Sequence, residues 1–263
     1  MSDLLSHERD DQGVHTLTFR RPEVRNALHP RAFTDLIEAC GGVATDPDAR
    51  AMVLTGEGVA FSAGGDFEAL QDLLDGNRDN AVAELRHANE GIKAIAGLPV
   101  PTVAAVNGDA FGGGAAVALS TDFRIMSDAA RLGFVFSRLG LSGADTGATW
   151  WLNRLVGPAR AMEIVTLGAV YSAEEALAAG LVTKVAPAGS FDTAVNAFAE
   201  RLASLAPLAT RGNKAALDGI EQRSLAEHLD LEAEIQAEAI CSEDFREGLE
   251  ATRSKRTPSF RGN

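Results

Sequence analysis

Two segments carry glycines at a spacing that can hold a negative charge, Phe61-Ser62-Ala63-Gly64-Gly65-Asp66 and Asn107-Gly108-Asp109-Ala110-Phe111-Gly112-Gly113-Gly114-Ala115-Ala116. Each follows a strand-like apolar run, residues 51–55 before the first and 102–106 before the second. The second opens directly into a small-residue helix from Ala115. Glycine at such a turn lets bare backbone approach a ligand, and a helix start offers N–H groups that no intrahelical carbonyl takes. Two turns of this kind can aim two amide donors at one oxygen, the arrangement that stabilises a thioester oxyanion. Spacing excludes other glycine chemistries. No Gly-x-Gly-x-x-Gly follows the first strand, and no Lys-Ser or Lys-Thr follows either cluster, so a dinucleotide fingerprint and a P-loop are both missing. An ordinary tight turn remains the other reading of any single glycine cluster.

The elements that must position these turns are legible as an alternation. Val14-His15-Thr16-Leu17-Thr18-Phe19 reads as a strand, 30–43 as a helix, 52–55 as a strand and 80–95 as a helix. Residues 102–106 then read as a strand, 115–120 as a helix and 123–126 as a strand. Such alternation implies parallel strands joined by crossover helices, an α/β core. Ser172-Ala173-Glu174-Glu175 is a capping box for a short helix that Gly180 stops, and 181–185 is the last strand. From Asp192 the pattern is helical, punctuated by Pro207 and Ser224, which divides the chain into an α/β core of 1–190 and a helical region of 191–263. Within that region Leu225, Leu229, Leu231, Ile235 and Ala239 form an apolar stripe flanked by Glu227, Asp230, Glu232 and Glu234. Residues 75–80 read as a mobile loop, and no internal repeat is visible.

A chain of 263 residues, 46% of them hydrophobic, suffices for a sizeable core. Its formal net charge of −13 argues against nucleic acid or an anionic membrane as the main partner. Cys40 and Cys241 stand alone, without metal-type spacing or a disulfide framework, so no metal site and a reduced, cytoplasmic compartment are expected. The acidic start, Met1-Ser2-Asp3-Leu4-Leu5-Ser6-His7-Glu8, is unlike a targeting peptide. Residues 98–121 are weakly charged but contain prolines, glycines, Asn107 and Asp109, which suits a buried strand–turn–helix better than a membrane span.

Several motifs, in order along the chain, resemble the crotonase (enoyl-CoA hydratase/isomerase) superfamily. They are Arg21-Pro22-Glu23-Val24-Arg25-Asn26-Ala27-Leu28, the segment 61–67, and Ala104-Ala105-Val106-Asn107-Gly108 running into the three glycines. Arg154-Leu155-Val156-Gly157-Pro158-Ala159-Arg160-Ala161-Met162-Glu163 and Ala178-Ala179-Gly180-Leu181-Val182 resemble it too. The resemblance implies ββα units wound into a superhelix, followed by C-terminal helices that trimerise, with trimers often paired as hexamers. It also implies a coenzyme A thioester as substrate and no further cofactor. The matched oxyanion donors are the amides of Gly65 and Gly113. Ala63, Asp66 and Phe67 correspond to the segment around the adenine and pantetheine parts of CoA, and Arg25 and Ala27 to the neighbouring N-terminal loop. Phe260-Arg261 corresponds to a terminal Phe-Lys whose base reaches the CoA phosphates. So acidic a chain needs a locally basic CoA site, and Arg25 and Arg261 are its candidates.

The hydratase branch of this superfamily uses two glutamates to position and activate water. Their places are taken here by Ala116 and Phe136, neither of which can shuttle a proton. Gly143-Ala144-Asp145-Thr146-Gly147-Ala148-Thr149-Trp150 instead resembles the Asp-x-Gly-Gly-Thr-Trp of the ring-oxepin-forming and enoyl-shifting isomerases of phenylacetate catabolism. The stretches Asp244-Phe245-Arg246-Glu247-Gly248 and Lys255-Arg256-Thr257-Pro258-Ser259-Phe260 are similar to those isomerases as well. That likeness implies a proton shuttle at Asp145, working between C2 and C4 of an acyl-CoA. Phe136, Trp150 and Trp151 would be the apolar neighbours that raise its pKa. Asp145 also fits a helix N-cap, and Trp150 fits either an acyl-pocket wall or core packing. An aspartate in this loop further resembles the nucleophile of the 4-chlorobenzoyl-CoA dehalogenases, whose histidine base falls at Asn89, while His87 reads as a surface residue. A hydratase-like or hydrolase-like member and a catalytically inactive acyl-CoA-binding paralogue stay open beside the isomerase.

Overall fold

The computed structural model describes residues 4–263, so the reading of the acidic start falls partly on Met1, Ser2 and Asp3, which lie outside the described residues. β1 (Leu5–Arg9) pairs antiparallel with β2 (Val14–Phe19). α1 (Pro30–Thr45) follows, capped by the His29 side chain, which accepts the Arg31 amide. Pro30 takes its first position, where a missing N–H costs no helical bond. α1 buries Ala32, Phe33, Leu36, Ala39, Cys40 and Val43, one face at helical spacing.

Three two-strand units then repeat. β3 (Ala51–Gly56) and β4 (Ala60–Ser62) lead into α2 (Phe67–Asp75) and α3 (Arg78–Ala96). β5 (Thr102–Val106) and β6 (Asp109–Phe111) lead into α4 (Gly113–Leu119), and β7 (Phe123–Ser127) and β8 (Arg131–Gly133) into α5 (Ala148–Leu167). β9 (Val170–Ser172), α6 (Ala173–Ala178) and β10 (Lys184–Ala186) precede α7 (Phe191–Ala203), α8 (Pro207–Leu217), α9 (Leu225–Ile240) and α10 (Glu243–Ser254). The first strand of each unit joins a sheet ordered β1-β2-β3-β5-β7-β10, parallel from β2 to β10. The second joins a smaller sheet ordered β4-β6-β8-β9, in which only β9 runs antiparallel. This is the ββα superhelix that the motifs imply.

Both faces of the larger sheet are covered, which is why its strands read as near-continuous apolar runs. Leu17, Phe19, Met52, Leu54, Ala104 and Met126 face the main core with α1 and α4. Val14, Val53, Val103, Ala105 and Ile125 face the opposite way, against Phe191, Val195, Ala199 and Leu202 of α7. By packing, then, α7 belongs with the sheet it covers. α4 is buried at every residue; Gly113, Gly114, Ala115, Ala116 and Ala118 let it pack closely, and Val117 and Leu119 join the main core.

Three expectations are corrected. Residues 75–80 form no long loop: only Gly76 and Asn77 separate α2 from α3, and the Asn77 side chain caps α3 by accepting the amides of Asp79 and Asn80. The last strand is shorter than 181–185, starting at Lys184, because Leu181 and Val182 turn into the core behind Gly180. The apolar stripe of α9 splits. Leu231, Ile235 and Ala239 are half-buried, Ile235 lying against Gly212 of α8, whereas Leu225 and Leu229 stand in the open. No helix among the described residues is long and apolar enough to cross a membrane.

Candidate active site

The turn after β4 and the turn after β6 lie against each other, backbone to backbone. Gly64 has φ +96°, and a Cβ there would stand 2.7 Å from the Phe111 carbonyl oxygen and 3.5 Å from the Gly113 nitrogen. A Cβ on Gly114 would meet the Ser62 carbonyl oxygen at 2.6 Å. Only glycine permits that approach, since real Cβ atoms do not come so close to a carbonyl. Ser62 fixes the first turn by accepting the Gly64 amide at 3.2 Å and donating to the Asn26 carbonyl at 2.8 Å. Among the described residues the amides of Gly65 and Gly113 donate to no protein acceptor, Gly113 being the first residue of α4. Two amides without a protein acceptor on adjoining turns are what an oxyanion cradle of the kind the spacing suggests would need.

Asp145 approaches this cradle from the loop before α5. A methyl built on Gly113 would lie 3.9 Å from Asp145 Oδ2, 3.9 Å from Thr146 Oγ1 and 3.6 Å from Leu28. The carboxylate does not cap the helix. Gly147 is the N-cap of α5 without any side-chain bond, and it is the Asp145 carbonyl that accepts the Ala148 amide, at 2.8 Å. No ion pair or side-chain donor reaches the carboxylate among the described residues. Burial pushes its pKa up, with the Thr146 amide opposing. Phe136, in the 3-10 turn before the loop, is buried with its ring 3.8 Å from the Cβ position of Gly112 and 3.6 Å from that of Gly143. Ala116 is fully buried in α4.

The N-terminal loop is tied directly to the first glycine turn. Arg25 accepts the Ala63 amide on its carbonyl, and Leu28 donates to Gly64 and accepts from Asp66, on either side of Gly65. Arg25 is exposed, and its guanidinium has no ion-pair partner among the described residues. Asn26, buried and left-handed at φ 55°, holds the loop in place. Its side chain donates to the Glu57 and Ala60 carbonyls and accepts the Arg21 amide. Asp66 is committed elsewhere: it caps α2 through the Glu68 and Ala69 amides and pairs with Arg21 at 2.6 Å. Burial opposes ionisation there, but the Arg21 bond and the two amides outweigh it and hold the carboxyl below the ordinary range. Its side chain is therefore a strut, whereas the neighbouring Phe67 is 78% exposed.

Trp150 lies outside the cradle. With Trp151 it borders a cleft of about 780 Å³ between α3, α5 and α8, which also touches Gly147, Leu202 and Leu205. Trp150 is half exposed beneath the Arg154 guanidinium, whereas Trp151 packs on the core. Phe260 and Arg261 are not brought to the glycine turns of their own chain. Phe260 rests on Gly248 of α10, the Arg261 amide donates to Asp244, and the Arg261 carbonyl accepts from Arg50 at the N-terminal end of β3. His87 bonds Thr34 on the surface, as expected. His7 and His15, scattered in sequence, join Asp46 in a chain of 2.8 and 3.0 Å contacts beside α1. Cys40 is no nucleophile, its thiol pushed up to about 12 by burial against a smaller pull from Lys214. No cluster of three metal-type side chains occurs among the described residues.

A family model described as enoyl-CoA hydratase/isomerase matches residues 9–263. The chain belongs to this family. It is 36% identical to the 1,2-epoxyphenylacetyl-CoA isomerase of Escherichia coli K12, with 100% of this chain and 99% of that protein covered. It is 39% identical to a Rhodobacter capsulatus protein named a probable enoyl-CoA hydratase, over 95% of each. The crystal structure of an enoyl-CoA hydratase from Bacillus anthracis superposes with a TM-score of 0.92 at 31% identity, covering 99% of this chain and 100% of that one. Two residues at the site escaped the sequence reading. Asn26 carried a signal, a polar residue amid the Arg21–Leu28 motif, but Thr146 carried none, since its position beside Gly113 depends on a backbone turn.

Proposed function

We propose that this family member is an enoyl-CoA isomerase in which Asp145 moves the proton. The observation that carries the reading is the Asp145 carboxylate beside Gly113, while Ala116 and Phe136 offer no carboxylate to activate water. In a 3-enoyl-CoA, ionised Asp145 takes a proton from C2. The C–H electrons spread through C3 and C4 and onto the thioester oxygen, where the Gly65 and Gly113 amides hold the dienolate. Protonated Asp145 then returns the proton to C4, leaving the double bond between C2 and C3 and the carboxylate restored. The likeness to the E. coli isomerase supports this direction of the family's chemistry. The unpaired Arg25 guanidinium suits the phosphates of CoA, which the net charge of −13 would otherwise repel.

The test is a direct comparison of substrates. Incubation with a 3-enoyl-CoA is expected to yield the conjugated 2-enoyl isomer, followed by its absorbance. Crotonyl-CoA should be hydrated very slowly or not at all. A hydration turnover within the ordinary enzyme range, ~1–10³ per second, would show that another group activates water. Tight acyl-CoA binding without either reaction would make the chain a binding protein.

We also propose a homotrimer, or a pair of trimers, built on the C-terminal helices. α9 has sixteen residues and none of them is buried in the single chain, with Leu225 74% and Leu229 52% exposed. An apolar face of that kind favours a partner surface over water. A trimer or hexamer mass is expected from light scattering at micromolar concentration, and a monomer mass would refute the proposal.

A further inference from the structure

We propose that the Thr146 hydroxyl is a third donor to the thioester oxygen, a catalytic residue that acts once the oxygen becomes an enolate. The inference rests on the isomerase reading of the site and names a contact beyond the two amides. Thr146 is 6% exposed, and its Oγ1 is a buried polar atom with no hydrogen-bond partner among the described residues. Its backbone sits at φ 44°, a left-handed conformation that a β-branched residue rarely adopts. Gly147 continues the left-handed turn at φ 80°. Consecutive side chains usually diverge. Here the turn brings both Asp145 Oδ2 and Thr146 Oγ1 to 3.9 Å from one point beside Gly113.

A buried hydroxyl without a partner calls for an acceptor, and backbone strain of this sort collects at active sites and ligand clamps. A neutral carbonyl oxygen has two lone pairs, which the amides of Gly65 and Gly113 fill. An enolate oxygen carries a charge and a third lone pair. A third donor therefore binds the enolate more strongly than the ground state, which is the difference that raises turnover rather than affinity.

The test pairs Thr146→Val, which keeps the β-branch and removes the hydroxyl, with Thr146→Ser, which keeps the hydroxyl. Val is expected to lower kcat on a 3-enoyl-CoA at least ~10-fold with KM within about threefold, and Ser to restore it. Binding gives a readout free of turnover. Val should weaken the readily enolised acetoacetyl-CoA about tenfold and leave saturated butyryl-CoA within about twofold. Thermal stability of the ligand-free Val variant should be unchanged or higher, since an unsatisfied buried polar group has been removed. Equal weakening of both ligands, a lowered melting temperature, or a wild-type kcat in the Val variant would each overturn the proposal. Failure of the isomerase reading looks different. A wild-type protein that binds both ligands but does not shift the double bond loses that reading, and the Thr146 contact is still decided by the ligand preference. A wild-type protein that binds neither ligand ends both.

Discussion

Asp145→Asn is expected to lower isomerase turnover by at least the ~10²-fold typical of a lost general base, while acyl-CoA affinity stays nearly unchanged. Asparagine keeps the size and leaves in place the Asp145 carbonyl that accepts the Ala148 amide, so α5 starts as before. The pH dependence separates this from a structural effect. Burial raises the Asp145 carboxyl, and in the proposed mechanism its ionised form is the base. Wild-type turnover of a 3-enoyl-CoA should therefore rise with pH through a midpoint above the ordinary carboxylate range, then level off. Stability runs the other way. Between the ordinary carboxylate pKa and the raised folded value the native state holds more protons than the unfolded chain, so stability falls as pH rises across that window. Above it the loss is complete, and Asn, which never ionises, does not incur it. At pH 7 the variant should thus resist urea at least as well as the wild type, with the difference closing below the ordinary carboxylate range. Near-full turnover in Asp145→Asn would mean that the proton travels by another group.

Gly113→Pro is expected to cost ~10²–10³-fold in turnover, the effect of deleting one oxyanion donor. Gly113 is the first residue of α4, a helical position that proline favours and where the lost N–H has no intrahelical partner. Retention of full activity by a folded Gly113→Pro protein would sink the cradle. Gly113→Ala makes a second probe, because it keeps the donor and adds only a methyl. That methyl would meet Leu28, Asp145 and Thr146 at ordinary contact distances of 3.6–3.9 Å, so the fold should tolerate it. The added carbon stands between Gly113 and Asp145, where the proposed mechanism puts the acyl carbons. A raised KM with an intact melting temperature is the expected result, measured by steady-state kinetics and thermal unfolding.

Long elements were readable from the chain because their periods repeat often enough. The apolar spacing of 30–43, the run 102–106 and the box Ser172–Glu175 predict α1, β5 and the start of α6. β4, β6, β8 and β9 are three residues each, too short for an alternation to show, and with them the whole smaller sheet stayed hidden. Its existence follows only from pairing across the superhelix. The α9 stripe shows the same limit from the other side. The spacing marks one apolar face, but packing against α8 takes Leu231, Ile235 and Ala239 and leaves Leu225 and Leu229 outward.

What the residues determined by themselves were the two glycine turns, the order of strands and helices that lead into them, and the absence of carboxylates at 116 and 136. These are local properties, written in residue type and in spacing along a few neighbours. Tertiary structure decided which groups meet. Arg21 engages the Asp66 carboxylate and Asn26 ties its loop to the Glu57 and Ala60 carbonyls. The Arg261 carbonyl, for its part, accepts from Arg50 at the far end of β3. A left-handed turn at Thr146 and Gly147 sets a carboxylate and a hydroxyl beside Gly113, more than thirty positions away in sequence. Such meetings depend on backbone dihedrals and on contacts between distant segments, neither of which leaves a periodic trace in the chain.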